Sequence, residues 1–135
     1  MLTENDIIEN LTDFLIEKDY KIEQSLTTNQ QGIDVIAKNN FETLYIEAKG
    51  ETSSKPSSNR FGKPFNGNQI KSHISVALLA TMKVISNKPS GNLTKVGIAL
   101  PDTIGQRKII EEILPALKML DIRIYWVTTK SVKIE

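Results

Sequence analysis

The sequence predicts an α/β fold, a mixed β-sheet flanked by helices, with elements in the order α-β-β-β-α-β-α-β. Three observations point there. Apolar spacing switches between helical and strand periods along the 135 residues. Three strand-like runs follow one another through short polar turns, which makes them antiparallel neighbours. A helical segment then separates the third run from a fourth, and strands joined through a helix lie parallel with a right-handed crossover.

Thr3-Glu4-Asn5-Asp6 has the form of a capping box, and Ile7, Ile8, Leu11, Phe14 and Leu15 follow at helical spacing, so a first helix is expected over residues 4–18. Strands follow at 20–26, 32–38 and 43–49, the last two joined by the short turn at 39–42. Residues 51–68, rich in Ser, Asn, Gly and Pro, predict a long, mobile loop, and a loop of that length in a compact domain usually serves function. Residues 68–85 are apolar almost all round, which predicts a buried helix. A strand at 95–100, an amphipathic helix at 106–120 that Pro115 kinks or divides, a strand at 122–128 and a short last strand at 131–135 complete a single domain over 1–135.

Charge is unevenly spread. Residues 1–48 carry three Lys/Arg against ten Asp/Glu, and residues 49–135 carry fourteen against six. No Asp or Glu occurs from Thr52 to Pro101. A surface built from that segment attracts phosphates, or is simply a solvated basic face. The chain has no cysteine, which leaves no disulfide or thiolate metal site and fits a cytoplasmic setting. The acidic, mixed start is unlike a signal peptide, and no apolar run is long enough to span a bilayer, so no membrane partner is expected. There is no G-x-S-x-G and no P-loop.

The hairpin GIDVIAKNNFETLYIEAKG, residues 32–50, sets Asp34, Glu47 and Lys49 inside its two most apolar runs. If Lys38 pairs with Thr43, partners sum to 81 and Asp34 lies opposite Glu47. Alternation then puts Asp34, Ile36, Tyr45, Glu47 and Lys49 on one face, and Ile33, Val35 and Ala37 on the other. Two adjacent carboxylates repel unless a cation lies between them. Lys49 can serve in part, and a hard divalent ion serves better. Such an ion, with an ammonium beside it, is what phosphodiester hydrolysis needs. The plainer reading is an ordinary cross-strand Asp–Lys or Glu–Lys pair on a half-exposed hairpin.

GIDVIA followed by YIEAKG, on one hairpin of an α-β-β-β-α-β core, resembles the PD-(D/E)xK motif of the restriction-endonuclease-like nucleases, in its Holliday-junction-resolvase-like or Mrr-like form. The resemblance covers residues 4–100 and departs from the motif in having Gly-Ile before Asp34 in place of Pro. It implies a restriction-endonuclease-like fold, extended here by a C-terminal helix and strand. It also implies a DNA endonuclease of restriction, repair or junction-resolving type, with Mg²⁺ as cofactor and Mn²⁺ as a substitute. Asp34, Glu47 and the main-chain carbonyl of Ala48 become metal ligands and Lys49 the catalytic lysine. Many members add a glutamate from the first helix. Here Glu4 shares the azimuth of Ile8, Leu11 and Leu15, while Glu9 points away. Glu4 also reads as an acid complementing the helix dipole.

Gln69 and His73 lie one turn apart at the start of the second helix, where some branches of the family place a Gln and an aromatic that contact the site. His73, the one histidine, equally reads as a core or boundary residue, and Lys71 as a phosphate contact or a solvated side chain. In the long loop Lys55, Arg60 and Lys63 are candidates to track phosphates, and Phe61 or Phe65 to stack on a base or pack down. The expected partner is DNA, with a homodimer possible, and the strand holding Tyr125 and Trp126 forms either a dimer edge or a covered one. An inactive nucleic-acid-binding or assembly protein of the same fold is the alternative.

Overall fold

The computed structural model describes residues 1–26, 32–53 and 62–135. Lys55, Arg60 and Phe61 lie outside them. Helix α1 (Glu4–Glu17) is followed by strands β1 (Lys21–Ser25), β2 (Val35–Lys38) and β3 (Thr43–Ala48), helix α2 (Gly67–Asn87), strand β4 (Thr94–Pro101), helix α3 (Ile104–Met119), and strands β5 (Ile122–Val127) and β6 (Val132–Ile134). The sheet runs in chain order from β1 to β6. β1, β2 and β3 are antiparallel, β3, β4 and β5 are parallel, and β6 returns antiparallel to β5.

Two apolar layers follow from the alternation. On one face α1 sets Ile7, Ile8, Leu11 and Leu15 against Val35, Ala37, Leu44, Ile46 and Ala48. On the other, α2 and α3 bring Ile74, Ala77, Ile110 and Leu117 onto Val96, Ile98, Leu100, Ile124 and Trp126. Thr3 and Asp6 form the expected capping box of α1, and Asn66 with Gln69 forms a second, unforeseen one at α2. Thr103 caps α3, which therefore starts at Ile104, ahead of the expected residue 106.

Four expectations change. α2 is not buried all round. Ile74, Ala77, Thr81 and Val84 face the sheet, while Val76 and Leu79 are 58% and Met82 47% exposed. Steps of 100° carry these three to the far side of the helix, which no element among the described residues covers. α3 runs unbroken through Pro115, and both Pro115 and Glu111, whose carbonyl loses its helical donor there, are exposed residues. β5 is not an edge. β6 pairs outside it, and Tyr125 and Trp126 are buried, so they form no dimer edge. Finally, β2 is shorter than expected, and Ile33 packs with the α2–α3 layer and not beside Val35 and Ala37. Regular alternation stops before Val35, where the strand ends.

Only the inner face of α2 bears on stability. In urea denaturation, Leu11→Ala is expected to lower stability by about 3 kcal/mol, as loss of a buried leucine does. Leu79→Ala is expected to change it by under about 0.5 kcal/mol, as exposed substitutions do. Comparable losses at the two positions would mean that α2 is packed on both sides.

Candidate active site

The site begins where β2 stops. The register Val35↔Ile46 through Lys38↔Thr43 keeps partners summing to 81, and Asp34 and Glu47 are the residues just beyond its last pair. β3 continues to Ala48 along β4, and the N–H of Lys49 bonds to the Ala99 carbonyl at 3.1 Å. The N–H of Ala48 points the other way, toward a strand that has ended. The Asp34 Oδ2 atom accepts that bond at 2.8 Å, in place of a strand carbonyl. A buried main-chain donor left without a partner is costly, so this bond holds the carboxylate in a defined position.

Asp34 and Glu47 are each only 9% exposed. Burial raises the pKa of Glu47 to about 8; the Asp34 charge, a hydrogen bond with Asp34 and the Glu4 charge push the same way, and Lys49 opposes them. At neutral pH the pair therefore retains a proton where a cation would otherwise balance two carboxylates. That is the donor chemistry a hard divalent ion requires.

Glu4 arrives from α1. The N–H of Glu51 bonds to the Leu2 carbonyl at 2.9 Å, the N–H of Leu2 bonds back to Glu51 Oε1 at 2.7 Å, and Thr3 bridges to Thr52 in parallel. Between them Gly50 passes so close that a Cβ there would lie 2.5 Å from the Glu4 nitrogen and 2.6 Å from the Thr3 carbonyl carbon. The helix start is thereby tied to the end of β3, within electrostatic reach of Glu47. Even so, among the described residues no three His, Cys, Asp or Glu side chains form a group able to hold a metal ion. Glu4 thus adds its charge to the Asp34–Glu47 pair without completing such a group. Glu9 is exposed on the outer side of α1.

His73 lies on the Lys49 side of the site. Its ring meets Phe65 edge to face at 4.5 Å. Burial, and then the Lys49 charge, holds its pKa below the usual value. Phe65 thus packs down, and its N–H bonds to the Glu51 carbonyl at 2.9 Å, closing the long loop on the residue that anchors α1. Gln69 is engaged in the α2 capping box, with its Oε1 2.9 Å from the Asn66 nitrogen. Lys63 and Lys71 are exposed. Gly50, Glu51 and Asn66 were not foreseen as parts of this arrangement. The signal for Asn66 was present as Asn-x-x-Gln, a capping box in the sequence. That for Gly50 and Glu51 exists only in tertiary contact.

No protein-family model matches the chain, and no curated protein matches its sequence. The fold is similar to that in the crystal structure of an XisH family protein from Nostoc punctiforme PCC 73102. The TM-score is 0.56 at 13% identity, over 95% of this chain and 97% of that one. At this identity the likeness bears on the fold alone. It supports the mixed six-stranded sheet flanked by helices, with the additional helix and strand at the C-terminal end.

Two measurements probe the geometry. Gly50→Ala should destabilise the protein by about 2 kcal/mol, the usual scale of overpacking, because neither backbone wall can yield cheaply; wild-type stability in urea would show that the crossing is looser. The Glu47 proton sets a pH dependence. The folded protein keeps it up to about 8, whereas the unfolded chain releases it near the ordinary 4.5. This group's stabilisation is complete below the lower value and is lost as pH rises through the higher one. Metal-free wild type should therefore lose stability across that window, and Glu47→Gln should flatten the curve.

Proposed function

We propose that the protein is a metal-dependent deoxyribonuclease that hydrolyses phosphodiester bonds. The observation that carries this reading is the buried Asp34–Glu47 pair, two carboxylates brought together with Lys49 two residues beyond Glu47, just past the end of β3. Asp34, Glu47 and the Ala48 carbonyl would hold Mg²⁺, or Mn²⁺ in its place. The bound ion supplies Lewis acidity to a phosphoryl oxygen and a lowered pKa to bound water.

The chain's own residues do the rest. The Ala48 N–H keeps Asp34 from turning away, so its free oxygen is positioned before substrate arrives. The Lys49 ammonium is placed to balance charge building on the phosphoryl oxygens. Glu4 adds negative potential behind the pair and so strengthens its pull on a cation. His73, fixed by Phe65, forms the wall beside Lys49. Lys63 and Lys71 add exposed positive charge on the approach through the acid-free segment 52–101, to which Lys55 and Arg60 also belong. DNA fits that charge.

A second reading draws on a different observation, the absence of a three-carboxylate metal group among the described residues. A protein that keeps the fold and binds nucleic acid without turnover would need no such group.

Plasmid and branched-DNA cleavage separates the two. The nuclease reading expects nicking that requires Mg²⁺ or Mn²⁺ and falls about 100-fold or more in Asp34→Ala, Glu47→Ala and Lys49→Ala. Full activity in the Lys49 variant would count against it. Salt-sensitive binding with no metal-dependent cleavage would favour the binding protein.

A further inference from the structure

The first 48 residues hold only three basic residues, Lys18, Lys21 and Lys38. All three line one cleft of about 630 Å³ at the far end of the β1–β2–β3 meander, together with Phe41 and Asn40. Within it Lys21 and Lys38 are direct cross-strand partners. Directly opposed residues share a face with Cβ atoms about 5 Å apart, and like charges so placed destabilise a sheet. Asp19 and Glu23 border the same cleft, yet among the described residues neither Lys21 nor Lys38 forms an ion pair. The repulsion is left standing.

Beside this pair Phe41 is 80% exposed. It is held out and not merely loose. Asn39 Oδ1 accepts from the Phe41 N–H at 2.8 Å and from the Glu42 N–H at 2.9 Å, which locks the turn with the ring outward. An exposed ring next to unpaired cations is the pairing that holds a nucleic-acid single strand, one part taking a base and the other the phosphates. The cleft also lies in line with the candidate active site. Ile36 and Lys38 share a face of β2, Ile36 pairs with Tyr45, and Tyr45 and Glu47 share the corresponding face of β3. Lys38 is four residues from Asp34, or about 13 Å along the strand.

We infer that Lys21, Lys38 and Phe41 form a second substrate contact, which grips an unpaired stretch of the strand whose phosphodiester lies at Asp34 and Glu47. The inference rests on the nuclease reading and narrows its substrate to DNA with single-stranded character. The cation pair takes the phosphate and Phe41 stacks on the adjoining base.

The test measures binding of a fluorescein-labelled twenty-nucleotide oligothymidine, and of a blunt duplex of equal length, by fluorescence anisotropy in EDTA across a salt series. For K21Q/K38Q, the slope of log affinity against log salt on the oligothymidine should shrink by about 1.4, two single-strand phosphate contacts. F41A should weaken that binding about tenfold and leave the duplex unchanged. The free K21Q/K38Q protein should also melt higher than wild type at low salt, because the opposed charges are gone. An unchanged slope in K21Q/K38Q overturns the site even if melting rises, as does failure of wild type to bind the oligothymidine or an equal loss on both probes in F41A. Mn²⁺-dependent cleavage by wild type, assayed in parallel, judges the nuclease reading separately. Cleavage with an unchanged slope removes this contact alone, and a reduced slope without cleavage leaves the contact standing and removes the catalytic reading.

Discussion

A single main-chain N–H organises the candidate site. Ala48 lies two residues beyond Ile46, the last residue its antiparallel neighbour pairs with, and its donor faces that gap. Left unbonded in the interior that donor would be costly, and the Asp34 carboxylate meets it. Asp34 therefore sits inside the sheet at the level of Glu47. Two acids held at adjacent register positions then create the electrostatic deficit that a proton relieves in the metal-free protein. The unusual chemistry of the site is thus a consequence of where one strand stops.

The surroundings support that arrangement from both faces. α1 covers one side of the hairpin with an apolar layer and contributes Glu4 from its first turn. α2 covers the other and brings His73 toward Lys49. At the opposite end of the hairpin, Glu42 takes a bidentate hydrogen bond from Arg123, at 2.6 and 2.9 Å, and one from the Tyr20 hydroxyl at 2.8 Å. That knot ties β3, β5 and the start of β1 together beneath the turn, and Arg123 holds the Glu42 carboxyl below its usual range. The hairpin is clamped at its turn by a neutralised acid, while at its open end Asp34 and Glu47 crowd together with only Lys49 opposing their charge.

The element order and the register of the hairpin from Val35 to Lys38 were legible in the sequence because each rests on local periodicity. The summed pairing of 81 needed only the length of the turn at 39–42. What was not legible depends on where periodicity fails or on contacts far apart in the chain. Ile33 changes layers because the backbone before Val35 no longer alternates. The outer face of α2 is as apolar as its inner one, so composition could not tell which side meets the sheet. Pro115 is tolerated because of the side of α3 on which it falls. Gly50 looks like any glycine after a strand until α1 is placed against it. The basic candidates divide for another reason: Lys63 and Lys71 are seen to be exposed, whereas Lys55 and Arg60 lie outside the described residues.

The tie between Leu2 and Glu51 also has a consequence for assembly on the ribosome. α1 carries its own capping box and emerges before the sheet it covers, but the partner that seats its start lies 49 positions later in the chain. Closing a loop of that size is an entropic cost met only after the three-stranded meander exists. α1 is made before the strands it covers and its start is fastened only after them. Until β2 and β3 are synthesised, its apolar face of Ile7, Ile8, Leu11 and Leu15 lacks Val35, Ala37, Leu44, Ile46 and Ala48, and exposed apolar surface of that kind favours aggregation.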